Sequence, residues 1–200
     1  MILSGNMIKE QIKNKNWKSN ISYNNLFVNP NSIDVGLSNK LLVEVNNRKF
    51  KYKHIVKEKD SNLRYKSKFN EVPIKNNGFI LYPNKFYLGS VDTKFNCDNP
   101  IIIDGKKRWF VQMYETRSSI ARNGLITHFT AGFGDYGFNG FFTLEMINLS
   151  PKPIFIEIGI RIGQIYFQEI FNNFKNPKKY TSKYNELQNY PVPIEPKEEY

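Results

Sequence analysis

Along this chain, apolar and polar positions alternate far more often than they recur at helical spacing. Residues 4 to 14 are the exception. Ile8 and Ile12 share one helical face, Leu3 and Met7 extend it, and Ser4 stands where an N-cap hydroxyl belongs. Lys9, Glu10, Gln11 and Lys13 then turn mostly to solvent. Beyond them, short β-branched or aromatic runs predict strands: Leu41 to Val45, Phe79 to Tyr82, Phe86 to Val91, Trp109 to Tyr114, Leu125 to Thr130 and Phe141 to Ile147. Gly, Asn, Asp or Pro usually separates them. From Ile154 to Ile162 every even position is isoleucine and the odd ones are mixed, the pattern of a strand with one buried face. Many short strands without alternating helices predict an all-β sandwich or barrel.

The 200 residues, 40% of them hydrophobic, suffice for one domain with a real core. The character changes at Asn172: a polar, basic stretch runs to Lys179, and Pro191, Pro193 and Pro196 punctuate an acidic end. We therefore divide the chain into a β domain, residues 1–171, and a C-terminal tail, residues 172–200. There is no internal repeat. One cysteine, Cys97, excludes an internal disulfide and fits a reducing compartment. Lys9 and Glu10 come too early for a signal-peptide core, and no apolar run nears the length of a membrane span. The expectation is a soluble cytoplasmic protein, in the host cytoplasm if the source is viral.

The formal charge of +11 is concentrated from Asn47 to Lys68 and from Lys175 to Lys183. The first stretch alternates with Phe50, Tyr52, His54 and Val56, which reads as a solvated hairpin with one buried face. Charge and aromatics alone do not make a base-reading module, so no nucleic-acid partner is expected.

Candidate chemistry is densest between residues 117 and 145. Arg117 and Arg122 flank the hydroxyls of Ser118 and Ser119, a set suited to polyphosphate because planar guanidinium forks bind phosphate oxygens in pairs. Glu145 is a lone carboxylate in the apolar run from Phe141 to Ile147. Burying it is costly unless it is partnered or catalytic. Between them, the segment from Thr130 to Gly140 carries Asp135 in a glycine-rich turn. His128 reads as an ordinary strand histidine, and no P-loop or dinucleotide fingerprint is present.

Six segments occur in an order that matters: Ile2-Leu3-Ser4, Pro30 to Leu37, Phe79 to Pro83, Arg117 to Glu145, Arg161 to Ile165 and Thr181 to Tyr184. On these the chain resembles the dCTP deaminase family of the dUTPase-like superfamily, and within it the bifunctional branch that turns dCTP into dUMP. The resemblance implies a distorted jelly roll (a dUTPase-like β-clip) with a short N-terminal helix, and a tail that folds over the active site. It implies that Glu145 takes a proton from water attacking cytosine C4, protonates N3 and then serves the departing ammonia. The Ser118 hydroxyl and the Ala131 carbonyl hold that water, and Arg122 is the charge neighbour expected for Glu145.

By the same resemblance Asp135 accepts the deoxyribose 3′-hydroxyl and, in dUTPase relatives, activates water for attack on the α-phosphate. Phe138 packs on the sugar. The remaining nucleotide contacts fall on Arg117, Ser119, Ile120, Ala121, Thr130, Thr143, Leu144 and Gln164, with Lys183, Tyr184 and Gln188 from the tail. Magnesium comes with the triphosphate, and no protein metal ligand is assigned. Zinc deamination is excluded, because it needs a His/Cys/Cys or three-Cys set and the chain has one Cys and two His, His54 and His128. The implied partners are dCTP and dUTP, with dTTP as a candidate inhibitor. The implied assembly is a homotrimer or a dimer of trimers, in which the Arg117 to Arg122 segment of one subunit meets the Glu145 strand of its neighbour.

Two other readings remain: a dUTP diphosphatase without deaminase activity, and a silent nucleotide-binding regulator of the same fold. The chain also departs from the family pattern. Phe133 replaces the arginine of single-function bacterial deaminases, Thr116 and Gly134 are unusual, Asn176 occupies a phosphate-binding tyrosine position, and Gln188 comes one residue late.

Overall fold

The computed structural model describes residues 1–45, 68–129, 131–171 and 177–181. The helix is present as α1 (Gly5–Lys13), and the Ser4 hydroxyl accepts from the Met7 amide at 3.3 Å, capping it. Sixteen short strands follow among the described residues: β1 (Lys18–Ser19), β2 (Phe27–Val28), β3 (Ile33–Gly36), β4 (Leu42–Val45), β5 (Lys68–Glu71), β6 (Gly78–Leu81), β7 (Phe86–Ser90) and β8 (Phe95–Asn96), then β9 (Ile101–Ile103), β10 (Lys106–Arg108), β11 (Phe110–Thr116), β12 (Leu125–Ile126), β13 (Phe133–Gly134), β14 (Thr143–Asn148), β15 (Ile154–Glu157) and β16 (Arg161–Glu169). A single helical turn, α2 (Ser118–Ala121), interrupts them after β11. Residues 46–67, which hold nearly all of the first basic stretch and its expected hairpin, lie outside the described residues.

Two five-stranded antiparallel sheets carry the fold, ordered β13-β11-β16-β3-β2 and β12-β14-β7-β4-β5. Neighbours in space are seldom neighbours in sequence, so the chain crosses repeatedly between sheets. That is the jelly-roll solution to burying two half-apolar surfaces against each other. Ile33, Val35, Ile165 and Phe167 of the first sheet share one core with Leu144, Met146 and Tyr87 of the second. An aromatic group closes one end, with Phe167 at 4.8 Å from Trp17 and 5.6 Å from Phe95 between ring centroids.

One expectation needs correction. The isoleucine run from 154 to 162 is not a single strand. It divides at Gly159, whose φ of 78° only glycine adopts without strain. Ile154–Glu157 pairs with β6, whereas the chain beyond Arg161 joins β3 and β11 in the other sheet. The alternation was real on either side of the turn, and the glycine within it was the unread signal.

Candidate active site

The end of β11 gathers the first group of expected site residues. Thr116 lies opposite Gly163, the chain turns into α2, and the Arg117 amide donates to the Ile162 carbonyl at 3.2 Å. Glu115, Gln164, Asp34 and Phe27 are successive cross-strand partners over β11, β16, β3 and β2, so their side chains share one face of the sheet. Asp34, with a side chain 2% exposed, accepts from Asn29 at 2.6 Å and from Arg161 at 3.2 Å; Arg117 Nη1 stands 3.4 Å away. The Ser32 hydroxyl donates to Gln164 Oε1 at 2.9 Å. Ser118, Ser119, Ala121 and Arg122 are exposed, and Ile120 packs against the core.

Glu145 belongs to the second sheet. Along β14, Leu144, Met146 and Asn148 are buried, while Thr143, Glu145 and Ile147 occupy the half-exposed face. The carboxylate is therefore not sealed in apolar core, as its sequence context predicts, but sits at the edge of burial. Its Oε2 is buried without a hydrogen-bond partner. Burial raises its pKa above the ordinary glutamate range, against weaker opposing influences from its own backbone amide and from His128. Leu144 is fully buried, so its backbone is all it can offer a ligand.

The expected pairing of Glu145 with Arg122 does not occur within one chain. β12 pairs Leu125 with Asn148, which puts Arg122 beyond one end of that register and Glu145 three residues in the other direction. No described carboxylate forms an ion pair with Arg122. The cation-capable group that influences Glu145 is His128, read from the sequence as an ordinary strand residue. It lies just past β12, with Nε2 3.3 Å from Glu115 Oε2, Nδ1 buried and unpartnered, and its ring edge-on to Tyr114 at 5.2 Å.

Asp135 and Phe138 begin and end a tight turn closed by the Phe138 amide on the Asp135 carbonyl at 2.8 Å, with Gly137 at φ 89°. Asp135 is exposed and lines a cleft of about 580 Å³ with Phe133, Tyr136, Gln168 and the segment Pro177 to Thr181. That segment is held down by the Tyr180 amide on the Tyr136 carbonyl at 2.7 Å and by an ion pair between Lys179 and Asp98. Phe138 stacks on Phe142 at 5.1 Å between centroids, connecting this turn to the start of β14. Ala131 is exposed beside Gly132, where a Cβ would come within 2.5 Å of the Tyr114 carbonyl.

Thr130, Lys183, Tyr184, Gln188 and Asn176 lie outside the described residues. Sequence reasoning assigned no site role to Asn29, Ser32, Arg161 or the segment at Lys178 to Thr181. The Pro30 to Leu37 motif contained Ser32 and Asp34, but partners more than a hundred residues away could not be read from it. Cys97 is buried, and its thiol is pushed up to about 12 chiefly by desolvation, so it is no nucleophile at neutral pH. Among the described residues no group of three or more His, Cys, Asp or Glu is placed to hold a metal, and no helix is long and apolar enough to cross a membrane.

Two antiparallel sheets packed on one core, with a cation-and-hydroxyl corner and a carboxylate that has one unpartnered oxygen, make an all-β protein of the distorted jelly-roll class. The fold is shared with the crystal structure of 2′-deoxycytidine 5′-triphosphate deaminase from Agrobacterium tumefaciens, at a TM-score of 0.56 and 19% identity over 83% of this chain. The present chain spans 46% of the length of that one, and the likeness is one of fold. The sequence pattern described as dCTP deaminase-like matches residues 2–170. A protein named dCTP deaminase, dUMP-forming, from Hathewaya histolytica is 38% identical over 182 residues, covering 91% of this chain and 89% of its own. Its namesake from Clostridium acetobutylicum is 34% identical over 184 residues, covering 91% and 88%. The chain belongs to the dCTP deaminase-like family.

Proposed function

We propose that this protein is a zinc-independent dCTP deaminase that continues to dUMP and diphosphate. The observation that carries the reading is Glu145: a carboxyl group with one buried, unpartnered oxygen and a raised pKa, on the half-exposed face of β14. A carboxyl group poised this way is suited to accept and return a proton during the reaction. Glu145 takes a proton from water as its oxygen bonds to C4, delivers a proton to N3, and assists the C4–N4 bond to break with release of ammonia. Ser118 and the Ala131 carbonyl hold the water. Asp135, exposed in its cleft, receives the sugar hydroxyl and then activates a second water that displaces diphosphate from the α-phosphate. Phe138 packs on the sugar.

The polyphosphate rests on Arg117, Ser118, Ser119 and Gln164, and the whole Arg117 to Arg122 segment of one subunit meets the Glu145 strand of its neighbour, which brings Arg122 to Glu145 across the interface. Separation of Arg122 from Glu145 within one chain supports a shared site, and a homotrimer or dimer of trimers supplies that contact at every interface. Magnesium enters on the triphosphate. Asp34, the buried carboxylate nearest the phosphate corner, is already engaged by Asn29 and Arg161 and faces Arg117, so it is not free to bind a metal. The tail, with Lys183, Tyr184 and Gln188, closes over the site, and dTTP competes there as an inhibitor.

The test is one incubation of pure protein with dCTP and magnesium, measuring ammonia, dUTP, dUMP and diphosphate together. Equal ammonia, dUMP and diphosphate without accumulating dUTP is the expected result. Accumulating dUTP would restrict the activity to deamination. Hydrolysis of added dUTP without ammonia from dCTP would leave a diphosphatase, and nucleotide binding without turnover a regulator.

A further inference from the structure

The phosphate corner is underlain by a polar network, buried at Ser32 and Asp34, that the reaction itself does not use. Asn29 Nδ2 donates to Asp34 Oδ1 at 2.6 Å and to Ser32 Oγ at 3.3 Å. Ser32, 6% exposed, donates onward to Gln164 Oε1 at 2.9 Å. Asp34 Oδ2 stands 3.2 Å from Arg161 Nη1 and 3.4 Å from Arg117 Nη1. Arg161 also lies over the Phe27 ring, 5.0 Å from its centroid. All these residues come from β2, β3, their connecting turn, and the ends of β16 and β11.

Each contact has a directional consequence. A glutamine amide can present either its oxygen or its NH2 group outward, and the wrong choice sets an acceptor against phosphate oxygens. The Ser32 hydroxyl occupies Oε1, and among the described residues Gln164 Nε2 meets no protein acceptor. The donor end is thereby the end left for a ligand. Two guanidinium groups converging on one place repel each other. A single buried carboxylate between them offsets that repulsion while using one nitrogen of each, so most of their N–H donors remain available.

The geometry points to Asn29, Ser32 and Asp34 as positioning residues for polyphosphate, which fix Gln164 as a donor and Arg117 in place, and to Arg161 as a further guanidinium of the same anion site. This rests on the proposed nucleotide function and extends it to residues that touch no reacting atom. Because they act on the phosphate chain and not on the base, their removal weakens ground-state and transition-state binding alike. It raises KM with kcat nearly unchanged. The effect also grows with the number of phosphates on the ligand.

The experiment compares dCTP and dCMP binding by calorimetry, together with steady-state kinetics, for wild type, Ser32→Ala, Gln164→Ala, the double variant and Asp34→Asn. Ser32→Ala is expected to weaken dCTP about three- to tenfold, as loss of one oriented hydrogen bond does, and to leave dCMP affinity and kcat within about twofold. In the Gln164→Ala background the same change is expected to have no further effect, because its target is gone. Asp34→Asn is expected to weaken dCTP even though it removes a negative charge beside the polyanion, because Arg117 and Arg161 lose the carboxylate that holds them in place; Ser32→Ala carries the test if that variant does not fold. Equal weakening of dCTP and dCMP, or an undiminished Ser32→Ala effect in the Gln164→Ala background, overturns the positioning role. Failure of wild type to bind dCTP at all overturns the nucleotide reading instead.

Discussion

Replacing Glu145 by glutamine separates chemistry from stability at one position. Gln keeps the size of the side chain but cannot shuttle a proton, so ammonia release from dCTP should fall by roughly 10²–10⁴-fold while nucleotide binding persists. Stability should move the other way. The wild-type carboxylate has Oε2 buried without a partner; Gln still leaves a polar atom there but removes the charge, and the desolvation penalty of an unpartnered group, about 1–3 kcal/mol, is larger when the group is charged. Because Glu145 is half-buried, the lower end of that range, about 1 kcal/mol, is the expected gain for E145Q, or roughly 2–4 °C in the melting midpoint of a chain this size.

The gain has a pH signature. The folded-state pKa of Glu145 is raised by burial, so its favourable contribution is complete below the unfolded value of about 4.3 and is lost as pH rises through the folded value. Gln does not titrate. The stability of E145Q relative to wild type should therefore grow as pH rises from about 4.3 through the raised folded-state value. Paired urea or thermal unfolding at the two ends of that window, with an ammonia assay on the same samples, measures both effects. Residual deamination within about tenfold of wild type would refute the proton-transfer role. A stability difference that shrinks with rising pH would refute burial as the dominant influence on the carboxyl.

Asp135→Asn should stop diphosphate release from dUTP and slow deamination through poorer sugar placement; normal diphosphate production would show that another group activates the second water. Gly163→Ala should destabilise by about 1–3 kcal/mol, because a Cβ there would come within 2.4 Å of the buried Tyr114 ring, whose hydroxyl is held by Thr127. An unchanged urea midpoint would show that the ring can yield. Truncation after Asn172 removes the Lys179–Asp98 and Tyr180–Tyr136 contacts, and should leave a folded oligomer with weakened nucleotide affinity. Wild-type kinetics after truncation would reduce the tail to a passive end. Light scattering should give a trimer or hexamer at micromolar concentration, and a fully active monomer would rule out a shared site.

What the sequence determined by itself is what depends on near neighbours. The spacing of Ile8 and Ile12 after Ser4 defined α1 and its cap, because helix period and capping are local properties. Alternation from Leu41, Phe79, Phe86 and Phe141 onward located β4, β6, β7 and β14 to within a residue or two, because strand period is local as well. Arg117, Ser118, Asp135 and Glu145 could be proposed as site residues from the sequence because several chemical types stood in one short block. Register was not legible. Only the folded chain decided that β16 lies between β11 and β3, and so that Ser32 and Asp34 meet Gln164, Arg117 and Arg161. Likewise, the pairing of Leu125 with Asn148 decided that Glu145 is near His128 and not Arg122. Such pairings join residues far apart in sequence, and a one-residue slip would turn each side chain to the opposite face. Local pattern says which residues can form a strand; the burial of two whole sheets against each other selects which strands become neighbours.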